Sequence, residues 1–341
     1  MKSRFLFTPF PNGWFRIASS KELRAGEVKP LYYFGKDLVL FRTKKGKAHV
    51  FDAHCPHLGA HLGYGGRVKG ETIQCPFHGW CFSGEGQCCQ IPYARSIPSK
   101  ATLRAWPVCE VNDTIWIYYH SRQKLPHWEI PELPEYASKQ WTCLYPVGKW
   151  KIRTHILNLA ENAVDVVHYI NIHGLSIQQA ELENFHVEDS IFEVNFWMKY
   201  NIFSLIKILG YDIQGSYKWI SYGLGCAIYR FLVNPMKFQY ILMDTRTPID
   251  EEYTELRLYL SMKKVLNKPI TRLLRNLNLK DIIKATEEEI PLYEHKRDIS
   301  NPLLCDGDGP IKQYRRWAKQ FYDASSLVQG KSIEPIEENT D

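Results

Sequence analysis

Long apolar runs are missing from this chain. Nowhere in its 341 residues do about 18 apolar residues follow one another, so no helix is expected to cross a membrane. No leader is expected either: Met1 to Arg16 alternates aromatics, prolines and an Asn-Gly pair, with neither a long apolar stretch nor a small-residue cleavage site. The protein is therefore expected in the cytoplasm. Basic residues are not massed in one tract beyond short clusters such as Arg315-Arg316, and the net charge is only +6, so no nucleic-acid partner is expected. The nine cysteines are odd in number and scattered. A disulfide framework is thereby disfavoured, and metal ligation plus reduced thiols is expected instead. There is no internal repeat and no low-complexity segment.

What is present describes an ordinary globular chain, 45% hydrophobic and 23% charged, long enough for two domains with separate cores. Residues 14–120 read as short strands between Gly, Pro and Asn turns. Leu38–Thr43, the Lys-Lys-Gly-Lys turn and Ala48–Phe51 form a hairpin pattern, and Thr114–Tyr119 is another strand. The glycine-rich stretch from Gly63 to Gly70 reads as a loop. A proline-marked connector, Leu125 to Pro134, leads into a second half. There the pattern is helical from Thr154 to Ile170, and strand-like through Ile191–Met198, Cys226–Val233, Phe238–Met243 and Tyr253–Met262. It is helical again through Leu273–Glu289 and Ile311–Tyr322, and the polar end, Gly330 to Asp341, reads as loose. The expected class is α+β. An all-β domain over residues 1–125 precedes a domain over 126–341 with an antiparallel sheet flanked by helices.

Chemistry enters with Cys55-Pro56-His57 and, after seventeen intervening residues, Cys75-Pro76-Phe77-His78. Each half offers one thiolate and one imidazole from a tight turn. Two Cys and two His are the ligand set of a Rieske [2Fe–2S] cluster, in which the imidazoles replace thiolates on one iron and raise the potential. Gly59, Gly79 and Trp80 stand where the backbone must turn and cover the sulfurs. A zinc site is the competing reading, but zinc fingers pair Cys with Cys and His with His. His54 and His61 fall outside the ligand spacing and are expected at the surface or supporting the ligands. Cys81, Cys88 and Cys89 are expected as strand or turn residues.

A second pattern runs Asn158-Leu-Ala-Glu161-Asn162-Ala-Val-Asp165-Val-Val-His168-Tyr-Ile-Asn-Ile-His173. Asp165 and His168, three apart, are expected on one helix face. His173 lies five further on, about 140° round an ideal helix, and joins His168 only if the helix ends near Asn171, with Gly174 as the stop. Two histidines and one distant carboxylate make the facial triad of O2-activating non-haem Fe(II).

Together the two patterns resemble the Rieske non-haem iron oxygenases over nearly the whole chain. Ala60 and Phe77 stand where respiratory Rieske proteins carry a disulfide, which fits the oxygenase type. Pro11–Phe15, Ile91–Ala94 with Trp106, the cluster loop Cys55–Leu62, and Arg315–Trp317 with Gln320–Tyr322 are similar to the 3-ketosteroid 9α-hydroxylase and Rieske-type cholesterol 7-desaturase branch. That resemblance implies several things. Asp165, with Asn162 beside it, serves the iron as a catalytic residue, and Asp165 links the iron histidine to a cluster histidine of a neighbouring subunit in a homotrimer. The third iron ligand lies six residues before the His of the His-Lys pair. Glu289 occupies that position, where the family has Asp; Glu288 is the next candidate and Asp281 a more distant one.

The implied reaction is hydroxylation or desaturation of a hydrophobic, sterol-like substrate with O2. No flavin, nicotinamide or plant-ferredoxin motif is visible, so electrons are expected from a separate NAD(P)H-dependent reductase or a ferredoxin. Apolar side chains between Phe185 and Leu242 are candidates for pocket or core. The animal desaturases carry a membrane anchor ahead of this region, and a soluble, bacterial-style enzyme is the closer expectation. Two alternatives remain open: an oxygenase of aromatic or amine substrates, and an electron carrier with an inactive second domain.

Overall fold

The structure, a computed structural model, describes residues 10–173, 177–200, 213–234, 237–299 and 301–323. Gly174 and the polar end from Gly330 lie outside them. The strand-rich first part contains β1 (Gly13–Ser19), β2 (Val28–Tyr33), β3 (Lys36–Arg42), β4 (Ala48–Asp52), β5 (Arg67–Lys69), β6 (Thr72–Gln74), β7 (Cys81–Phe82), β8 (Cys88–Gln90), β9 (Ala105–Trp106), β10 (Val108–Val111) and β11 (Thr114–Tyr119). They form three small antiparallel sheets, ordered β1-β11-β10, β2-β3-β4-β9 and β5-β6-β7-β8. The expected hairpin forms between β3 and β4, with Leu38 opposite Asp52 and Arg42 opposite Ala48. The glycine-rich stretch is not all loop: Arg67–Lys69 pairs with β6, because Val68 finds Ile73 across the hairpin.

The second part is one seven-stranded antiparallel sheet. It comprises β12 (Tyr145–Ile152), β13 (Ile177–Glu188), β14 (Ile191–Tyr200), β15 (Ile213–Tyr222), β16 (Cys226–Asn234), β17 (Phe238–Pro248) and β18 (Thr254–Met262), in the order β12-β18-β17-β16-β15-β14-β13. Around it stand α1 (Pro134–Ala137), α2 (Ile156–Glu161), α3 (Val166–Ile172), α4 (Lys268–His295) and α5 (Ile311–Ala318). The expected α+β class is observed.

Alternation along β16 to β18 divides the sheet into two buried faces. Leu242, Leu258 and Leu260 meet Leu159 of α2 and Tyr293 of α4 on one side. Ile228, Ile241 and Met243 meet Trp14 and Trp116 of the first part, with Ile130 and Leu133 of the connector, on the other. Polar bonds also join the two parts: Tyr33 Oη donates to Glu255 Oε1 at 2.9 Å, and Thr247 Oγ1 to the Arg16 carbonyl at 2.7 Å.

Two helices depart from expectation. The span read as one helix over 154–170 is broken into α2, a 3₁₀ turn over Asn162–Val164, and α3. The break comes at Asp165, whose backbone is extended (φ −86°, ψ 100°) so that its side chain caps α3. Helix α4, expected to stop near Glu289, runs past Pro291 to His295. Leu279, Ile282, Ile283, Ile290 and Tyr293 pack on the sheet along it, and that burial outweighs the backbone hydrogen bond that the proline cannot make.

Candidate metal centres

Loop 53–66 follows β4, and the turn 75–80 joins β6 to β7. The two are built alike. The Cys55 N–H donates to the Ala60 carbonyl at 2.9 Å and the Cys75 N–H to the Trp80 carbonyl at 2.8 Å. The Gly59 and Gly79 N–H groups return to the Cys55 and Cys75 carbonyls at 2.9 and 3.2 Å. Both glycines have positive φ, +76° and +74°, a conformation that side chains with a Cβ rarely adopt. Each loop thus buries its cysteine (2% and 3% exposed) and holds its histidine half-exposed.

The imidazoles of His57 and His78 lie edge to face, with centroids 4.7 Å apart. Trp80 stacks on His57 at 4.6 Å and donates Nε1–H to Tyr93 Oη at 2.9 Å. Burial pushes the Cys55 thiol up to about 11, opposed by the His57 backbone N–H and helped by the adjacent Cys75. A thiolate buried there needs a cation to hold its charge, which a bound iron supplies. The buried thiols of Cys55 and Cys75 are neighbours, as are the imidazoles of His57 and His78, a two-and-two pairing that suits the two irons of a Rieske cluster.

The nine cysteines are all free, as expected, and Cys81, Cys88 and Cys89 lie in β7 and β8. His54 is exposed and bonds the Gly59 carbonyl (3.1 Å) and Asp37 (3.2 Å), while the half-exposed His61 packs against it.

The second set is assembled from distant parts of the chain. His168 lies in the first turn of α3 and His173 is its C-cap. Ending the helix there removes the 140° offset, and the two rings stand edge to face with both Nε2 atoms toward Glu289. Glu289 comes from α4. Its Oε1 is 2.9 Å from His173 Nε2 and 3.5 Å from His168 Nε2, and Tyr293 Oη donates to its Oε2 at 2.8 Å. Burial alone would raise the Glu289 carboxyl. Hydrogen bonds from His168, His173 and Tyr293 outweigh it and hold the group at about 2. Burial likewise opposes protonation of His173, but Glu289 and Glu288 prevail and raise it. Two imidazoles and one anionic oxygen at this spacing fit Fe(II) with room for further ligands.

The neighbours of this set revise one expectation and place the alternatives to Glu289. Asp165 does not share a helix face with His168; it caps α3, its Oδ1 accepting the His168 N–H at 3.3 Å. The His168 ring Nδ1 instead bonds the Asp165 main-chain carbonyl, which directs Nε2 toward Glu289. Glu288 is not merged with Glu289: it faces the other side of His173, 3.3 Å from Nδ1. Asp281 is exposed, two turns back along α4. Asn162 Nδ2 lies 3.1 Å from His168 Nε2, the ring nitrogen that also faces Glu289. Tyr293 was not anticipated, although its place four residues after Glu289 puts it on the same helix face.

Beside this site a row of aromatics crosses four strands in register: Phe196 opposite Tyr217, Tyr217 opposite Phe231, and Phe231 opposite Tyr240. Successive rings stack at 5.1, 5.0 and 4.3 Å. Tyr169, next to His168, ties into the row through a 2.8 Å bond between its hydroxyl and that of Tyr217.

Comparison with known proteins agrees with this geometry. Residues 13–106 match the Rieske [2Fe-2S] domain, and residues 117–322 match the 3-ketosteroid 9α-hydroxylase C-terminal domain. The chain is 31% identical to cholesterol 7-desaturase nvd 1 of Ciona intestinalis, covering 93% of this chain and 70% of that one. It is 29% identical to the 3-ketosteroid-9-alpha-monooxygenase oxygenase component of Rhodococcus rhodochrous, covering 92% and 84%. The crystal structure of dicamba monooxygenase bound to dicamba superposes with a TM-score of 0.74 over 91% of this chain and 97% of that one; at 19% identity this likeness concerns the fold. A Rieske half joined to a steroid-hydroxylase half places the chain in the Rieske non-haem iron oxygenases, enzymes with a [2Fe–2S] cluster and a mononuclear iron.

Proposed function

We propose that this protein hydroxylates or desaturates a sterol-like substrate with O2, drawing electrons from a separate reductase. The observation that carries the reading is the convergence of His168, His173 and Glu289 downstream of the paired Cys-His loops. In this reading Cys55 and Cys75 hold one cluster iron, His57 and His78 the other, and the convergent triad holds the mononuclear iron. With its metals bound, the protein has a one-electron carrier and a centre able to activate O2. The chain's own residues do the rest. Asp165 orients His168 through its carbonyl, Glu288 orients His173, and Asn162 borders the open side of His168. The stacked row starts in the core with Phe196 and Tyr217 and ends at the half-buried Phe231 and Tyr240, whose rings are the part of it able to border a rigid fused-ring substrate. The names of the relatives, cholesterol 7-desaturase and 3-ketosteroid monooxygenase oxygenase component, support both the substrate class and the external reductase.

We place the domain boundary near residue 125, in the proline-marked connector, a few residues inside the second family match, which begins at residue 117. A homotrimer and a role in lipid metabolism belong to the same proposal. The half-exposed cluster histidines are ringed by exposed Leu58 (64%) and Phe77 (61%), an apolar rim suited to contact with a second copy. Asp165 is then the carboxylate through which electrons pass between the two imidazole systems.

The deciding experiment supplies the purified protein with a surrogate reductase, NADH and panels of sterols, aromatic acids and N-methyl compounds, scored by product mass. Sterols should gain one oxygen atom or lose two hydrogens. Turnover of the aromatic or N-methyl panel with sterols untouched would overturn the substrate assignment.

A further inference from the structure

The two oxygens of Glu289 are engaged differently. Oε1 faces the imidazoles, 2.9 Å from His173 Nε2 and 3.5 Å from His168 Nε2, while Oε2 accepts the phenolic hydrogen of Tyr293 at 2.8 Å. The phenol is itself held. Tyr293 is 6% exposed and packs with Leu159, Leu242 and Leu258 between helix and sheet. Glu289 and Tyr293 stand four residues apart on α4, the spacing at which two side chains on one helix face meet. A glutamate reaches about 1.5 Å further from its backbone than an aspartate would and carries one more freely rotating bond. Left untethered, that extra bond would let the carboxylate swing and present either oxygen, or both, to the histidines.

We propose that Tyr293 is a positioning residue that makes a glutamate serviceable at this site, reserving Oε2 so that Oε1 alone is presented to His168 and His173. The inference rests on Glu289 being the carboxylate donor of the mononuclear site, and the test separates the two.

The measurement uses full-length protein with its cluster intact and the mononuclear metal removed by a chelator. Mn(II) is then titrated and the free ion followed by EPR. Tyr293→Phe removes one oxygen and keeps the ring. It should weaken Mn(II) binding about 10- to 100-fold, the range for loss of an outer partner of a metal ligand, with the cluster spectrum and Tm unmoved. In a Glu289→Asp background the shortened carboxylate cannot span both the phenol and the imidazoles. There, Tyr293→Phe should change Kd by less than about threefold, a non-additivity that a merely structural tyrosine would not produce.

Unchanged Mn(II) binding in Tyr293→Phe, or an equal loss in both backgrounds, overturns the proposal. So does a Tyr293→Phe protein that fails to hold its cluster, because the proposal gives Tyr293 no part in folding. Glu289→Ala tells the two failures apart. If it binds Mn(II) like wild type, the ligand assignment is wrong; if it loses the metal while Tyr293→Phe does not, the assignment stands and Tyr293 has no positioning role.

Discussion

Cys55 and Cys75 stand in loops that repeat one another bond for bond, each closed by its own backbone and pivoting on a glycine four residues after the cysteine. His168, His173 and Glu289 share no such repeat. The first two depend on where one short helix starts and stops, and the third comes from another helix 116 residues away along the chain. The first set needs only local backbone geometry to take shape, so it can form early and stay rigid. The second exists only once α3 and α4 have docked on the same sheet. A site of the first kind suits a carrier that must not reorganise, and one of the second kind suits a centre that must admit substrate and oxygen.

The largest expected effect breaks the long-range set and spares the local one. Glu289→Ala should release the mononuclear iron and abolish turnover, because two imidazoles alone hold Fe(II) weakly. Iron analysis should fall from three irons per chain to two, with the Rieske absorption and EPR signal unaltered. If iron and activity survive in Glu289→Ala and vanish in Glu288→Ala, the carboxylate has been assigned one residue too late. Next comes a change within the local set. His57→Cys puts thiolate in place of a neutral ligand and should either lower the cluster potential by on the order of 100 mV or more, or destroy the cluster, leaving the triad's metal affinity as it was. A colourless, zinc-loaded wild-type protein from iron-replete cells would remove the ground for this prediction.

The same contrast governs what could be read without a structure. The cluster loops were legible because every determinant is local: the cysteine, the proline after it, the histidine, and a glycine where φ must be positive. The class, the β3–β4 hairpin and strands β14, β16, β17 and β18 were legible from their apolar alternation. Strands β13 and β15 were not, since their mixed polar sequences make sense only as neighbours within a wide sheet. Helix 154–170 was overextended because Asp165 lies inside a helical apolar pattern, and its preference for a cap decided the outcome. Glu289 was picked out by its place relative to His295. What told it apart from Glu287 and Glu288, which are exposed, was the docking of α4. Tyr293 carried one local sign, its place four residues after Glu289, but nothing in the sequence said that its hydroxyl would reach the carboxylate.

A smaller effect is expected where the two sets are proposed to communicate. Asp165→Asn keeps a good N-cap and leaves the main-chain carbonyl that orients His168, so both metals should remain. Removal of the negative charge should slow electron arrival at the mononuclear site. The reading is single-turnover kinetics from a pre-reduced cluster. A rate equal to wild type would show that electrons take a route without this carboxylate.

The smallest effect should leave both donor sets alone and loosen how the two halves sit together. Glu255 is buried in β18, yet it receives Tyr33 of the first half at 2.9 Å, together with Arg257 Nε at 2.6 Å and Lys149 Nζ at 3.0 Å. Burial works to raise its carboxyl, but Arg257 and Lys149 outweigh burial, and the group is lowered from its ordinary 4.5. A group lowered in the folded state contributes stability that is present above its unfolded value and is lost as pH falls through the folded one. Tm should therefore decline on acidification from about pH 5 downward, in part through Glu255. Glu255→Gln should lower Tm at neutral pH by a few degrees, since a paired buried carboxylate is replaced by a neutral amide beside Arg16 and Arg257. Below pH 5 its Tm should fall less steeply than that of wild type, so the two curves converge in acid while the cluster spectrum and iron content stay the same. Parallel curves would mean that the acid sensitivity comes from other carboxylates, such as Glu110 paired with Arg42 within the first half.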